Sequence, residues 1–190
     1  MYRFVLWFLL VIPTTTCGQD VKDSDKLGMA IEYFQSAKYH EALLILSKLD
    51  KKYKLNPRFK AYMGICYFYE WDYKNAIKCI DSIMDRLSVL APQEQSVYLF
   101  CSAESHFFLN EYDIAIPIYE KMLNVCFDNE KADALYRVGF CYMFREEWEN
   151  AYESFNSALS YYTHFGCPDD KKQRLAQLRN VINGCKEHIK

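Results

Sequence analysis

The sequence predicts an all-α chain made of repeated helical hairpins, and three observations carry that reading. Residues 57–83 read as two short amphipathic helices joined by a tight turn, with Gly64 inside the first and Ala76, Ile80 and Ile83 on one face of the second. Glycine inside a helix costs about 1 kcal/mol relative to alanine, so a close helix–helix approach is the expected reason for Gly64. The same pattern recurs along the chain, its small residue advancing by 34, 39 and 36 positions through Ala30, Gly64, Ala103 and Gly139. Nothing β-like competes: Gly and Pro number only 6 and 5, and no Asn-Gly turn separates alternating apolar runs.

At 190 residues the chain is long enough to bury a continuous core, and 51% hydrophobic and 17% aromatic content marks an ordered protein. Lys and Arg total 23 against 25 Asp and Glu, so the basic excess of a nucleic-acid binder is missing and no nucleic-acid partner is expected.

The N-terminus differs from the rest. Arg3 precedes an apolar run over residues 4–12, followed by Pro13, three threonines and Cys17-Gly18. A basic start, a short apolar core and small residues describe a secretory signal peptide over 1–18, while a bilayer-spanning helix needs about 20 apolar residues. Export to the periplasm or cell envelope is therefore expected. Cleavage after Gly18 and lipidation of Cys17 are both open, the second weakened because leucine is missing three residues before the cysteine.

In order, the first copy places Met29-Ala30, Tyr33, Tyr39, Ala42, Leu46 and Leu49 in the pattern. The second centres on Gly64. The third has Leu99, Ala103, Tyr112, Ala115, Tyr119 and Met122, with Ser102 and His106 where an apolar and an aromatic residue are expected. The fourth is the fullest, with Leu135, Gly139, Tyr142, Trp148, Ala151, Phe155 and Ala158. Extra residues are expected in linkers around 88–92 and 124–130, where insertion is cheap in closure entropy. Asp72, Asp113 and Glu149 stand near the starts of second helices, where negative charge suits the dipole. Pro117 is expected to bend the third copy's second helix or to start it nearby. Beyond residue 163, Cys167-Pro168-Asp169-Asp170 looks like a helix start, and Leu175, Leu178, Ile182 and Cys185 form one stripe.

This spacing resembles the tetratricopeptide repeat, a helix–turn–helix unit of about 34 residues. The resemblance implies an α-solenoid of about four repeats over 23–163 (about 23–56, 57–90, 96–129 and 132–165), with a capping helix at 168–190 covering the last core edge. Together with the N-terminal signal-peptide pattern, the expectation is an exported bacterial interaction module.

Chemistry finds little footing. The eight cysteines contain no Cys-x-x-Cys and no Cys–His cluster, so no metal or other cofactor is expected, and Cys66 and Cys141 share one repeat position, as core-filling residues would. A disulfide is the lesser alternative. His40, His106, His164 and His188 share no helix face, and His106 reads as a satisfied core or groove histidine. Glu146-Glu147 falls in a turn, and no catalytic motif is present, so no enzyme is expected.

The resemblance places the first helix of each repeat along a concave groove. Its positions here include Ile31 and Phe34; Ile65, Phe68 and Tyr69; Phe100, Phe107 and Phe108; and Tyr136, Phe140 and Phe144. Two positions per repeat that are usually polar in the family are mostly apolar here: Ile31, Ile65, Tyr69, Phe108, Phe140 and Phe144. Of the basic residues that hold a partner's carboxylate in chaperone-binding members, only Arg58 has a counterpart. The expectation is a scaffold whose groove takes an apolar or amphipathic segment of a protein or peptide partner, with the membrane reached only through a lipid anchor. A groove-mediated homodimer, or the sensor ectodomain or regulatory fragment of a signalling protein, is the alternative.

Overall fold

The computed structural model describes residues 22–166 and 172–189. The chain forms α1 (Asp23–Gln35), α2 (Tyr39–Tyr53), α3 (Pro57–Tyr69), α4 (Tyr73–Asp81), a 3-10 helix (Met84–Val89), α5 (Pro92–Phe108), α6 (Tyr112–Leu123), α7 (Asp128–Phe144), α8 (Trp148–Phe165) and α9 (Lys172–His188). These ten helices follow one another as antiparallel neighbours in a solenoid, the architecture the repeats predict. The signal-peptide reading, Cys17 and the helix start at 167–170 lie outside the described residues.

The four hairpin turns share one backbone device. Ala37, Trp71, Asn110 and Glu146 sit in the left-handed region at φ 55, 60, 61 and 62°. After each, an amide reaches back across the helix end: Lys38 N–H to the Tyr33 carbonyl at 2.8 Å, and likewise Asp72 to Tyr67, Glu111 to His106 and Glu147 to Tyr142 at 2.9–3.0 Å. This bond satisfies a terminal carbonyl and turns the chain straight into the next helix. Two helix starts are capped by side chains. Asn56 Oδ1 accepts from the Phe59 amide and Asp72 Oδ1 from the Asn75 amide, both at 3.2 Å.

The helices touch through small residues. A β-carbon on Gly64 would lie 2.4 Å from Ile80 Cγ1, and one on Gly139 2.5 Å from the Phe155 ring. The missing side chain is therefore what lets the second helix close on the first in the second and fourth hairpins. Ala30, Ala42, Ala76, Ala103, Ala115 and Ala151 are fully buried at equivalent small positions. Buried side chains cluster between successive hairpins, as where Leu99, Ala115, Tyr119 and Val138 join α5, α6 and α7. No hairpin could bury such a face alone.

Two details depart from expectation. The extra residues of the later copies do not simply enlarge loops: α5 and α7 have 17 residues against 13 in α1 and α3, and the 3-10 helix fills the rest of the second copy's linker. A helical turn satisfies backbone polar groups that a loop would leave to solvent. Of the two outcomes expected at Pro117, a bend or a nearby helix start, the helix start does not occur. Pro117 lies inside α6 at an exposed position, so the ring stands on the solvent side while Ala115, Ile116, Ile118 and Tyr119 are buried.

At the C-terminal end Leu178, Ile182 and Cys185 of α9 are buried against Tyr136, Phe155, Ala158 and Tyr162. Arg174 joins the Tyr162 hydroxyl and the Asp133 carboxylate, its guanidinium 4.7 Å from the Tyr136 ring centroid, and the Tyr136 hydroxyl donates to Gln177 at 2.6 Å. The helix thus covers the last core edge through both an apolar stripe and a polar clasp.

Candidate functional site

The expected groove residues divide into two groups. Ile65 and Tyr136 are buried, and Ile31, Phe34, Phe68, Phe100, Phe107 and Phe140 are half-buried. Tyr69, Phe108 and Phe144, each the last residue of a first helix, remain 51%, 45% and 52% exposed. A cleft of about 260 Å³ opens among α3, α5 and α7, with Tyr69, Val97, Phe100, Cys101, Glu130 and Asp133 in its wall. Val97 is half exposed there.

The three exposed rings are not loose. Tyr69 stacks on Tyr39 at 4.2 Å, Phe108 on Tyr73 at 4.8 Å and Phe144 on Tyr112 at 5.2 Å between centroids. In every case the partner is the first residue of the preceding hairpin's second helix. The series continues into the cap, where His188, the last residue of α9, stacks on Trp148 at 4.0 Å. Each of the three rings is stacked on the neighbouring hairpin and still keeps about half of its surface exposed. An aromatic recurring at the start of every second helix was the sequence signal for this ladder.

The ionisable groups near the groove are committed to structural pairs. His106, 3% exposed, has Nδ1 at 2.6 Å from Glu111 Oε2 and Nε2 at 2.9 Å from Asp81 Oδ2, while Ser102 donates to Asp81 at 2.7 Å. Burial by itself would depress the imidazole pKa, but hydrogen bonds and negative charge from both carboxylates outweigh it and hold the pKa above its usual value. Glu104, also buried, accepts from the Tyr119 hydroxyl at 2.5 Å and pairs with Arg137 Nε at 2.7 Å. The Arg137 guanidinium lies 4.9 Å from the Phe107 ring centroid and 5.7 Å from that of Phe108. Repeat matching finds the polar residues but cannot pair them, because each pair joins different helices.

The cysteines behave as small apolar residues. Cys66, Cys79, Cys101, Cys126, Cys141 and Cys185 are free thiols, and burial pushes Cys66, Cys101 and Cys141 up to about 12, leaving them protonated and unreactive. Among the described residues no group of three His, Cys, Asp or Glu side chains could hold a metal ion, and no helix is long and apolar enough to cross a membrane.

Comparison with known proteins fits this geometry. The tetratricopeptide repeat profile matches residues 133–163, which hold the whole of the fourth turn and most of α7 and α8. The fold is a tetratricopeptide-like solenoid. Among solved structures, MamA 41-end from Desulfovibrio magneticus RS-1 superposes with a TM-score of 0.60 at 18% identity, over 87% of this chain and 94% of that one. MamA AMB-1 gives a TM-score of 0.65 at 13% identity, over 86% and 87%. MamA MSR-1 gives 0.60 at 16%, over 88% and 98%. At such identities the likeness establishes the architecture. The curated protein sequences contain no match.

Proposed function

We propose that this protein is a non-catalytic interaction scaffold whose concave face takes an apolar or amphipathic segment of a protein partner. The observation that carries the reading is the row of half-exposed rings, Tyr69, Phe108 and Phe144, the first of which also lines a cleft with Phe100 and Val97. Aromatic rings fixed by stacking on one face lose little entropy when the other face is covered, which suits them to binding. Against chemistry, His106, Glu104 and Asp133 are each already held by neighbouring side chains. The basic start and apolar run before residue 18 support export as the route to that partner.

The test uses Val97→Lys, because Val97 is half exposed in the cleft and belongs to none of the buried clusters that join the hairpins. The full chain serves as bait in extract from its own source, with light scattering for mass. A monomer that captures a discrete protein, and loses it on Val97→Lys with an unchanged melting curve, supports the scaffold. A dimer that Val97→Lys dissociates would mean the groove closes on a second copy instead.

A further inference from the structure

The two ends of the solenoid are finished differently. At the C-terminal end α9 covers the core. At the N-terminal end no other described residue covers the face of α1 and α2 that would receive a preceding helix, and the protein's own repeats show what such a face accepts. Met29 has its equivalents at Met63, Ser102 and Val138, following the 34-, 39- and 36-residue steps. Those three are 6%, 0% and 4% exposed, whereas Met29 is 42% exposed. Met63 is covered because α2 lies on it: Leu46 packs in the same cluster, and Asp50 Oδ2 takes the Lys60 ammonium at 3.1 Å. Lys60 is the equivalent of Lys26. A helix presenting a leucine and, four residues later, an acid therefore fills this position one repeat along.

The open face has the shape and charge for the same kind of occupant. A cleft of about 530 Å³ runs between α1 and α2, with Met29, Ile45 and Leu49 as its apolar lining and Lys26, Lys48 and Lys52 around it. Its one acid, Asp23, is already bonded to Lys26, Lys52 and the Tyr53 hydroxyl. Lys48 has no ion-pair partner among the described residues. A second copy presenting this same end would bring lysines against lysines. From these observations we infer that the N-terminal face of the solenoid docks an acidic amphipathic helix of a protein partner, stacked on α1 as α2 is stacked on α3. This surface is separate from the concave groove, and the inference stands or falls independently of it.

The probe is a fluorescein-labelled peptide with the α2 sequence of residues 39–53 carrying Lys48→Glu, Lys51→Glu and Lys52→Glu, titrated against the full chain by anisotropy. The expected result is saturable binding that weakens with salt, with the unsubstituted α2 peptide at least about tenfold weaker. In the protein, Lys48→Glu alone and Met29→Glu with Lys48→Glu should each weaken binding, the double variant by about tenfold or more. Both should keep the parent's circular dichroism melt, and Phe144→Lys should leave binding unchanged. Equal affinity for the two peptides, or indifference to Lys48→Glu and Met29→Glu, would overturn the inference. So would binding that emerges only after residues 1–21 are deleted, since the chain's own N-terminus would then be the occupant. A dimer dissociated by Met29→Glu would likewise assign the face to a second copy.

Discussion

Phe144 closes α7 by stacking on Tyr112, the opening residue of the previous hairpin's second helix, with ring centroids 5.2 Å apart and planes 28° from parallel. Tyr69 on Tyr39, Phe108 on Tyr73 and His188 on Trp148 repeat the arrangement. The rings that make the groove apolar are thus also the pins between hairpins.

Removing a pin should cost stability as well as surface. Phe144→Lys is expected to destabilise the fold by about 0.5–1.5 kcal/mol, the range for an aromatic pair beyond its buried area. For a chain of this size that is a fall in melting temperature of a few degrees, about 2–4 °C per kcal/mol. Val97→Lys should leave the melt unchanged. A thermal melt of the two variants side by side checks whether the ring is structural.

The close approach at Gly139 should tolerate no side chain. Gly139→Ala sets a methyl group 2.5 Å from atoms of the fully buried Phe155 ring, so the ring or the helix must shift. The expected loss is about 1–3 kcal/mol by urea denaturation, outweighing the helix propensity that alanine adds.

The turns predict the opposite sign. Trp71 and Glu146 hold φ of 60 and 62° and are exposed, so their side chains add left-handed strain with little packing in return. Trp71→Gly and Glu146→Gly should each raise stability by about 0.5–1 kcal/mol, the relief of left-handed strain less the extra entropy of unfolded glycine. Ala placed at either site should show no such gain, and equilibrium denaturation separates the cases.

His106 makes stability depend on pH. Its folded pKa is raised, so the stabilisation from Asp81 and Glu111 is fully present below the unfolded imidazole value of about 6.5 and is lost as pH rises through the higher folded value. The urea midpoint should therefore fall as pH rises above about 6.5. His106→Phe, which restores the aromatic residue found at this repeat position, should flatten that part of the profile. An equal slope in both proteins would show that the imidazole stays neutral.

Much of this fold was legible in the residues. Gly64 and Gly139 mark helix contacts because each stands at the small position of the repeat, unlike Gly28 and Gly184, where a β-carbon would meet nothing within 4 Å, and the steps of 34, 39 and 36 residues expose the hairpins because every unit solves the same packing problem. The buried Ala76, Ala115 and Ala151 follow from those steps. Less legible were the lengths of α5 and α7, since a linker insertion can lengthen a helix or a loop at similar cost. Of the two outcomes expected at Pro117 the helix start did not occur, because at an exposed position a proline ring can sit on the solvent side of a helix held by its buried face.

By itself the sequence determined an all-helical repeat architecture, since periodicity is a local property that each hairpin repeats. The tertiary structure alone decided which groups meet across hairpins: Phe144 on Tyr112, His106 between Asp81 and Glu111, Glu104 beneath Arg137, and Met29 left open where Met63 is covered. Such pairings depend on how one hairpin is set against the next. No single repeat carries that information.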